Sequence, residues 1–200
     1  MTVTKGAQTK DFILNQGFNY VSSFGFTDIT IGKLATECNM SRSGLFSHFN
    51  SKEQLQVDIL MFAEKMFVET VIDPTRSIEN SYDKILMLCQ LWPNWVKKCS
   101  ISANGGCIFM SASFEFDHRE GPVRDYLLGA QKRLLKFFEN IFKEGQASGV
   151  FKKEFSCEQL AFDFYSKYLG YHIYKNFLKD KKSKNYLETS LKSLLTSLKN

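Results

Sequence analysis

Residues 25–55, GFTDITIGKLATECNMSRSGLFSHFNSKEQL, constrain the fold more than any other stretch, because they set two short amphipathic helices around a tight connection. Ile31, Leu34, Ala35 and Cys38 recur at three- and four-residue spacing, the pattern of one buried helical stripe. Thr30 stands just before that stripe, where its hydroxyl can accept from the free backbone N–H groups of a first turn. Cys38-Asn39-Met40 forms the connection, and Asn39 is the residue there best suited to a left-handed backbone. Ser41 is a second N-cap and opens a helix on which Leu45 and Phe49 point inward at i, i+4. Arg42, Ser43, Gly44, Phe46 and His48 are left facing outward. Such a pair is what a chain needs to lay one helix into the major groove of DNA, with base edges and phosphates opposite the outward residues.

The rest of the chain is read by the same rules. Residues 4–24 predict a first helix with Ile13, Gly17, Tyr20, Val21 and Phe24 on one face, closed by Gly25. Ser51 caps a longer helix with Glu53-Gln54 in its first turn and a stripe of Leu55, Ile59, Phe62, Ala63, Met66 and Phe67, expected to end before Asp73-Pro74. Beyond Pro74 the pattern predicts a helix over 78–99 that is interrupted or kinked near Pro93, a small-residue loop from Ser100 to Gly106, and a short helix over 107–115. After the polar elbow 117–122 come a long helix over 123–147, closed by Ser148-Gly149, and two more over 156–178 and 184–198. With three prolines and no alternating strand pattern, the fold class is all-α, about nine helices. The domain division expected is a helix-turn-helix head at 1–52 and a helical remainder at 53–200.

The penultimate helix is apolar around much of its circumference, through Leu160, Ala161, Phe164, Tyr165, Tyr168, Leu169, Tyr171, Ile173 and Phe177. A surface helix needs one apolar stripe. The surplus has two readings, a face buried against a second copy of the chain or a helix sunk in its own core.

Taken together, Gly25-Phe26-x-x-x-Thr30, eight helical residues, and then Ser41-Arg42-x-x-Leu45-Phe46-x-His48-Phe49-x-x-Lys52-Glu53-x-Leu55 resemble the DNA-binding domain of TetR-type transcriptional regulators. The likeness covers roughly residues 7–67, and beyond Pro74 the pattern is similar but less specific. Two positions depart from it. The family usually has Tyr at Phe46, whose phenol reaches a phosphate; here the contact would be apolar, to a thymine methyl or a sugar. Gly44 stands where a larger small-polar residue is common, at a cost of about 0.5–1 kcal/mol of helix stability against Ala, and would admit close backbone approach.

The resemblance implies a cytoplasmic, homodimeric regulator, most often a repressor, on a palindromic operator in double-stranded DNA, with recognition helices about 34–36 Å apart. Its DNA-binding residues would be Thr30, Ser41, Arg42, Ser43, Gly44, Phe46, His48 and Lys52. Thr30 and Ser41 would serve as both caps and phosphate ligands, and Lys52 would lie at a helix N-terminus, where the dipole favours phosphate. His48 is open between a phosphate contact and packing at the helix end. A pocket for a small, largely apolar effector would draw on Phe62, Met66, Met87, Trp92, Trp95, Phe109, Phe114, Phe138, Tyr165 and His172, an aromatic set that packing alone would also explain. Pairing would use the last two helices through Leu160, Phe164, Tyr168, Tyr171, Leu187, Leu191, Leu194, Leu195 and Leu198.

Charge permits a polyanion partner without demanding one: the net charge is +5, and the first 52 residues hold five Lys/Arg against three Asp/Glu. No stretch approaches the roughly 18 uninterrupted apolar residues of a membrane span, and the polar start MTVTKGAQTKD lacks a signal-peptide core. Five scattered cysteines without a CxxC pair read as free thiols. Cys107, in Gly105-Gly106-Cys107-Ile108-Phe109, has two readings. It packs the start of a helix, or, as in one branch of the similar family, it senses oxidants or electrophiles through a thiol whose pKa a helix N-terminus lowers. The three histidines are far apart, Glu115, Asp117, His118 and Glu120 read as a solvated elbow, and no acid–base pair or phosphate loop appears; neither a metal, a cofactor nor catalysis is expected. Three functions follow in order: an effector-released repressor, the same repressor sensing through Cys107, and a protein-interaction module without operator binding.

Overall fold

The computed structural model describes residues 5–99 and 106–199, so the expected loop from Ser100 to Gly106 lies almost wholly outside the described residues. Among those residues the chain forms nine helical runs and no sheet: α1 (Lys5–Phe24), α2 (Ile31–Glu37), α3 (Arg42–Phe46), α4 (52–76), α5 (81–99), α6 (Ile108–Phe116), α7 (Pro122–Ala147), α8 (157–177) and α9 (Ser183–Leu198). A lone bridge joins Phe151 to Lys199. No helix is long and apolar enough to cross a membrane among the described residues.

Two helices run on where the sequence predicts a stop or a single form. Pro74 does not end α4, because the turn before it is widened: over Val68–Ile72 the helix takes π form, and the Asp73 N–H reaches back five residues to the Val68 carbonyl. That extra room accommodates the proline ring and its missing donor. Pro93 sits in the tightened 3-10 turn Trp92–Asn94 that interrupts α5, as expected. The start of α5 falls at Ser81, where the Asn80 side chain accepts from the N–H groups of Tyr82 and Asp83.

The chain divides into two compact units, one from residues 1–66 and 96–129, the other from 67–95 and 130–200. In the first, the buried face of α1 is Ile13, Leu14, Phe18 and Val21, with Gly17 beside them. A Cβ on Gly17 would stand 2.6 Å from Ile59 Cδ1, so this glycine lets α1 and α4 approach closely. The expected face is corrected at two places: Phe24 is 64% exposed, and Tyr20 turns its hydroxyl out to donate to Asp28. Leu34, Leu45, Phe49, Leu55 and Ile59 complete the interior of the head.

The second unit is built on rings. Trp92 stacks on Tyr168 at 4.0 Å between centroids and lies 5.3 Å from Phe138, which meets Phe164 edge-on at 5.0 Å. Offset and T-shaped pairs of this kind add to area burial. The loop after α7 turns at Gly149 (φ 76), and Lys152 N–H donates to the Leu198 carbonyl at 2.9 Å, tying that loop to the end of α9.

Candidate nucleic-acid interface

The segment from Thr30 to Phe49 is specified by its caps. Thr30, in extended conformation, accepts the Lys33 N–H at 3.2 Å and starts α2; Ser41 accepts the Gly44 N–H at 3.0 Å and starts α3. Between them Asn39 takes φ 53, the left-handed turn its short amide tolerates. Leu45 and Phe49 are buried as predicted, but α3 itself ends at Phe46. His48 and Phe49 follow in a tighter turn whose N–H groups reach only three residues back, to Leu45 and Phe46.

An open groove of about 790 Å³ lies between the start of α2 and the outer face of α3, lined by Thr30, Ile31, Gly32, Arg42, Ser43, Phe46 and Ser47. Four of the eight residues expected to meet DNA (Thr30, Arg42, Ser43, Phe46) line it. Phe46 is 53% exposed, an aromatic ring without a phenol on the same helix as exposed Arg42 and Ser43. Ile31, expected in the buried stripe, is half-buried and forms part of the groove wall. Gly32 and Ser47 carry no signal that sequence reasoning used; a helical glycine facing an arginine is visible only in three dimensions.

The remaining expected contacts lie elsewhere. Gly44 is set by its cap, since a Cβ there would press on Ser41 Oγ at 3.0 Å. His48 is half-buried, its ring 6.4 Å from that of Phe49. Lys52, at the first position of α4, donates from Nζ to the Thr27 carbonyl at 3.2 Å.

That last bond belongs to a hub around the turn between α1 and α2. Gly25 (φ 83) closes α1, and the exposed N–H groups that follow are taken by Glu115: Phe26 N–H at 3.1 Å and Thr27 N–H at 2.7 Å. Gln56 Nε2 donates to the Phe26 carbonyl at 2.7 Å. The carboxyl of Asp28 is held below its ordinary range by the Lys33 ammonium, 2.5 Å away, and by the Tyr20 hydroxyl. Glu115 therefore leaves the solvated elbow in which the sequence placed it. It anchors α6 to the head, while Asp117, His118 and Glu120 remain exposed.

The aromatic set expected around an effector divides between the units. Phe62, Met66 and Phe109 are half-buried and Phe114 is 57% exposed in the first. In the second, Trp92, Trp95 and Phe138 are buried side by side with other rings, so they form core; Met87 and Tyr165 are half-buried, and the Tyr165 hydroxyl donates to Gln131 at 2.7 Å. His172 is buried, and burial first, then the nearby Lys175 charge, hold its imidazole below the ordinary value. Burial pushes the Cys89 thiol up to about 11. Cys107 is half-buried at the N-cap position of α6, and its side chain makes no capping bond.

The residues expected to pair two copies are placed mostly inside one. Leu160, Phe164, Tyr168, Leu187, Leu191, Leu195 and Leu198 are each no more than 4% exposed, and Tyr171 and Leu194 are half-buried. Side chains already covered in the protomer leave little for a partner to bury. What α8, α9 and the turn between them leave in water is a different apolar set, Phe162, Ile173, Tyr174, Phe177, Leu178 and Tyr186, with Phe177 at 80% exposure.

Comparison with known proteins places this geometry. Residues 13–59 match the description "Bacterial regulatory proteins, tetR family", and residues 81–191 match "Tetracyclin repressor-like, C-terminal domain". No curated protein matches the chain. Among solved structures, a TetR transcriptional regulator from Chloroflexus aurantiacus is 18% identical with a TM-score of 0.84, covering 98% of both chains. A TetR-family regulator from Cytophaga hutchinsonii is 15% identical with a TM-score of 0.87, covering all of this chain and 98% of that one. AibR, solved in complex with isovaleryl coenzyme A and operator DNA, is 20% identical with a TM-score of 0.73, covering 94% of this chain and 98% of that one.

Proposed function

Because the chain belongs to the TetR family of bacterial regulatory proteins, we propose that it is a cytoplasmic, homodimeric repressor that binds a palindromic operator and leaves it when a small, largely apolar molecule binds among the C-terminal helices. The observation that carries the reading is the groove. Two short helices with side-chain caps hold Arg42, Ser43 and Phe46 outward over buried Leu45 and Phe49. Arg42 supplies a forked donor for a guanine edge or a phosphate, and Thr30 and Ser41 lie where their hydroxyls can reach phosphates as well as cap. AibR, structurally similar, holds operator DNA and a coenzyme A thioester on one fold, which supports an effector-linked reading for this chain.

Release is a population shift: the effector binds better to the state whose recognition helices do not fit the operator, and affinity falls by that preference. Pairing uses the exposed face of α8 and α9, where the Tyr174 and Tyr186 rings meet edge-on at 5.9 Å and Phe177 is 80% exposed. Exposed apolar side chains gathered on two neighbouring helices mark an interaction site. Phe177→Glu accordingly shifts the sedimenting species from dimer to monomer; a variant that stays dimeric moves the interface elsewhere.

The reading is tested by selecting genomic fragments with the purified protein at near-physiological salt. A recovered palindrome with half-sites one duplex turn apart supports it, and the neighbouring genes indicate the effector's chemistry. No enrichment over random fragments rejects it.

A further inference from the structure

Gly32 is the second residue of α2 and lines the groove with Arg42 and Phe46. Its φ is not positive, so the backbone itself gives no reason for glycine, which within a helix is less stable than alanine. The reason lies across the groove. A Cβ at Gly32 would stand 3.1 Å from Arg42 Nε and 3.2 Å from both Cζ and Nη2, the three nearest heavy atoms apart from its chain neighbours and the backbone of its own helix. Carbon packs comfortably at about 3.5–4.0 Å, so a Cβ at this position makes the guanidinium give way by a few tenths of an ångström. Arg42 has no carboxylate partner among the described residues, and the bare backbone of α2 is what it rests against.

We infer that Gly32 is a positioning residue for Arg42: the missing Cβ gives the guanidinium a berth against α2, from which its forked donors present to a base edge in the operator. This deepens the operator-binding reading and rests on it. Bidentate recognition of guanine O6 and N7 depends on the orientation of a planar fork, and a long, flexible side chain gains discrimination when its rotamers are narrowed before binding. Thr36 Oγ1 donates to the Gly32 carbonyl at 3.1 Å, which ties the same residue into the following turn of α2.

The test is a double-mutant cycle with Gly32→Ala, Arg42→Ala and the pair, each titrated against the operator selected by the wild-type protein and a scrambled duplex of equal length. Gly32→Ala is expected to melt no lower than the wild type and to bind the scrambled duplex unchanged, yet to lose roughly tenfold in operator affinity. In the Arg42→Ala background the same substitution should change operator affinity by no more than about twofold. An operator bound by Gly32→Ala with full wild-type discrimination overturns the inference, and so does a tenfold loss that persists without Arg42. A wild-type chain that selects no operator overturns the operator reading and this inference with it.

Discussion

The recognition segment and the ring-filled unit use opposite economies of residues. Between Thr30 and Phe49 five apolar side chains are fully covered (Leu34, Ala35, Cys38, Leu45 and Phe49), and the backbone path is set by two hydroxyl caps and one left-handed asparagine. Around Trp92, by contrast, Phe138, Phe164, Tyr165 and Tyr168 crowd within 6.3 Å between centroids and exclude water. The first region keeps its polar side chains outward; the second gathers its rings inward around Trp92. Substitutions in the two should therefore separate binding from stability.

The largest effect belongs to the rings. Phe138→Ala removes a side chain with no exposure and should cost about 3–5 kcal/mol of unfolding free energy, read by urea titration. A loss below about 1 kcal/mol would mean that the cluster relaxes around the gap, and the contrast would weaken. Arg42→Ala sharpens the comparison from the other side: operator affinity falls by roughly 1–3 kcal/mol while the urea midpoint stays in place. Ser41→Ala is the intermediate case. Losing the cap should cost about 1 kcal/mol of stability and weaken binding as well, since α3 begins there.

The smallest effect is a pH dependence in the second unit. The folded-state pKa of His172 is lowered, so the folded chain binds fewer protons there than the unfolded one. Its contribution is complete above the unfolded value of about 6.5 and is lost as pH falls through the folded value. Replacing it as His172→Gln should flatten the urea midpoint between about pH 7 and 5, and an unchanged slope would assign that dependence to other groups.

Local features were legible in the sequence and long-range ones were not. Both caps, the Asn39 turn, Gly25 and the inward Leu45 and Phe49 depend on residues a few positions apart, and spacing reveals them. Glu115 meets the Phe26 and Thr27 amides across 88 or more residues, and nothing in the charged run around it signals that partner. The apolar surplus of α8 was visible, but periodicity cannot say which face a second copy covers. Leu160 and Phe164 proved internal, and Phe162 and Phe177 face out. The continuation of α4 past Pro74 escaped notice because a π turn leaves no pattern in residue type.

We propose above all that the groove around Arg42 and Phe46 reads DNA sequence. It is tested most directly by competition titration of the wild-type protein at near-physiological salt, with the selected operator against a scrambled duplex of the same length. An affinity ratio on the order of a thousandfold or more in favour of the operator is expected. Equal affinities that fall together as salt is raised would leave only counterion release at the groove and would contradict it.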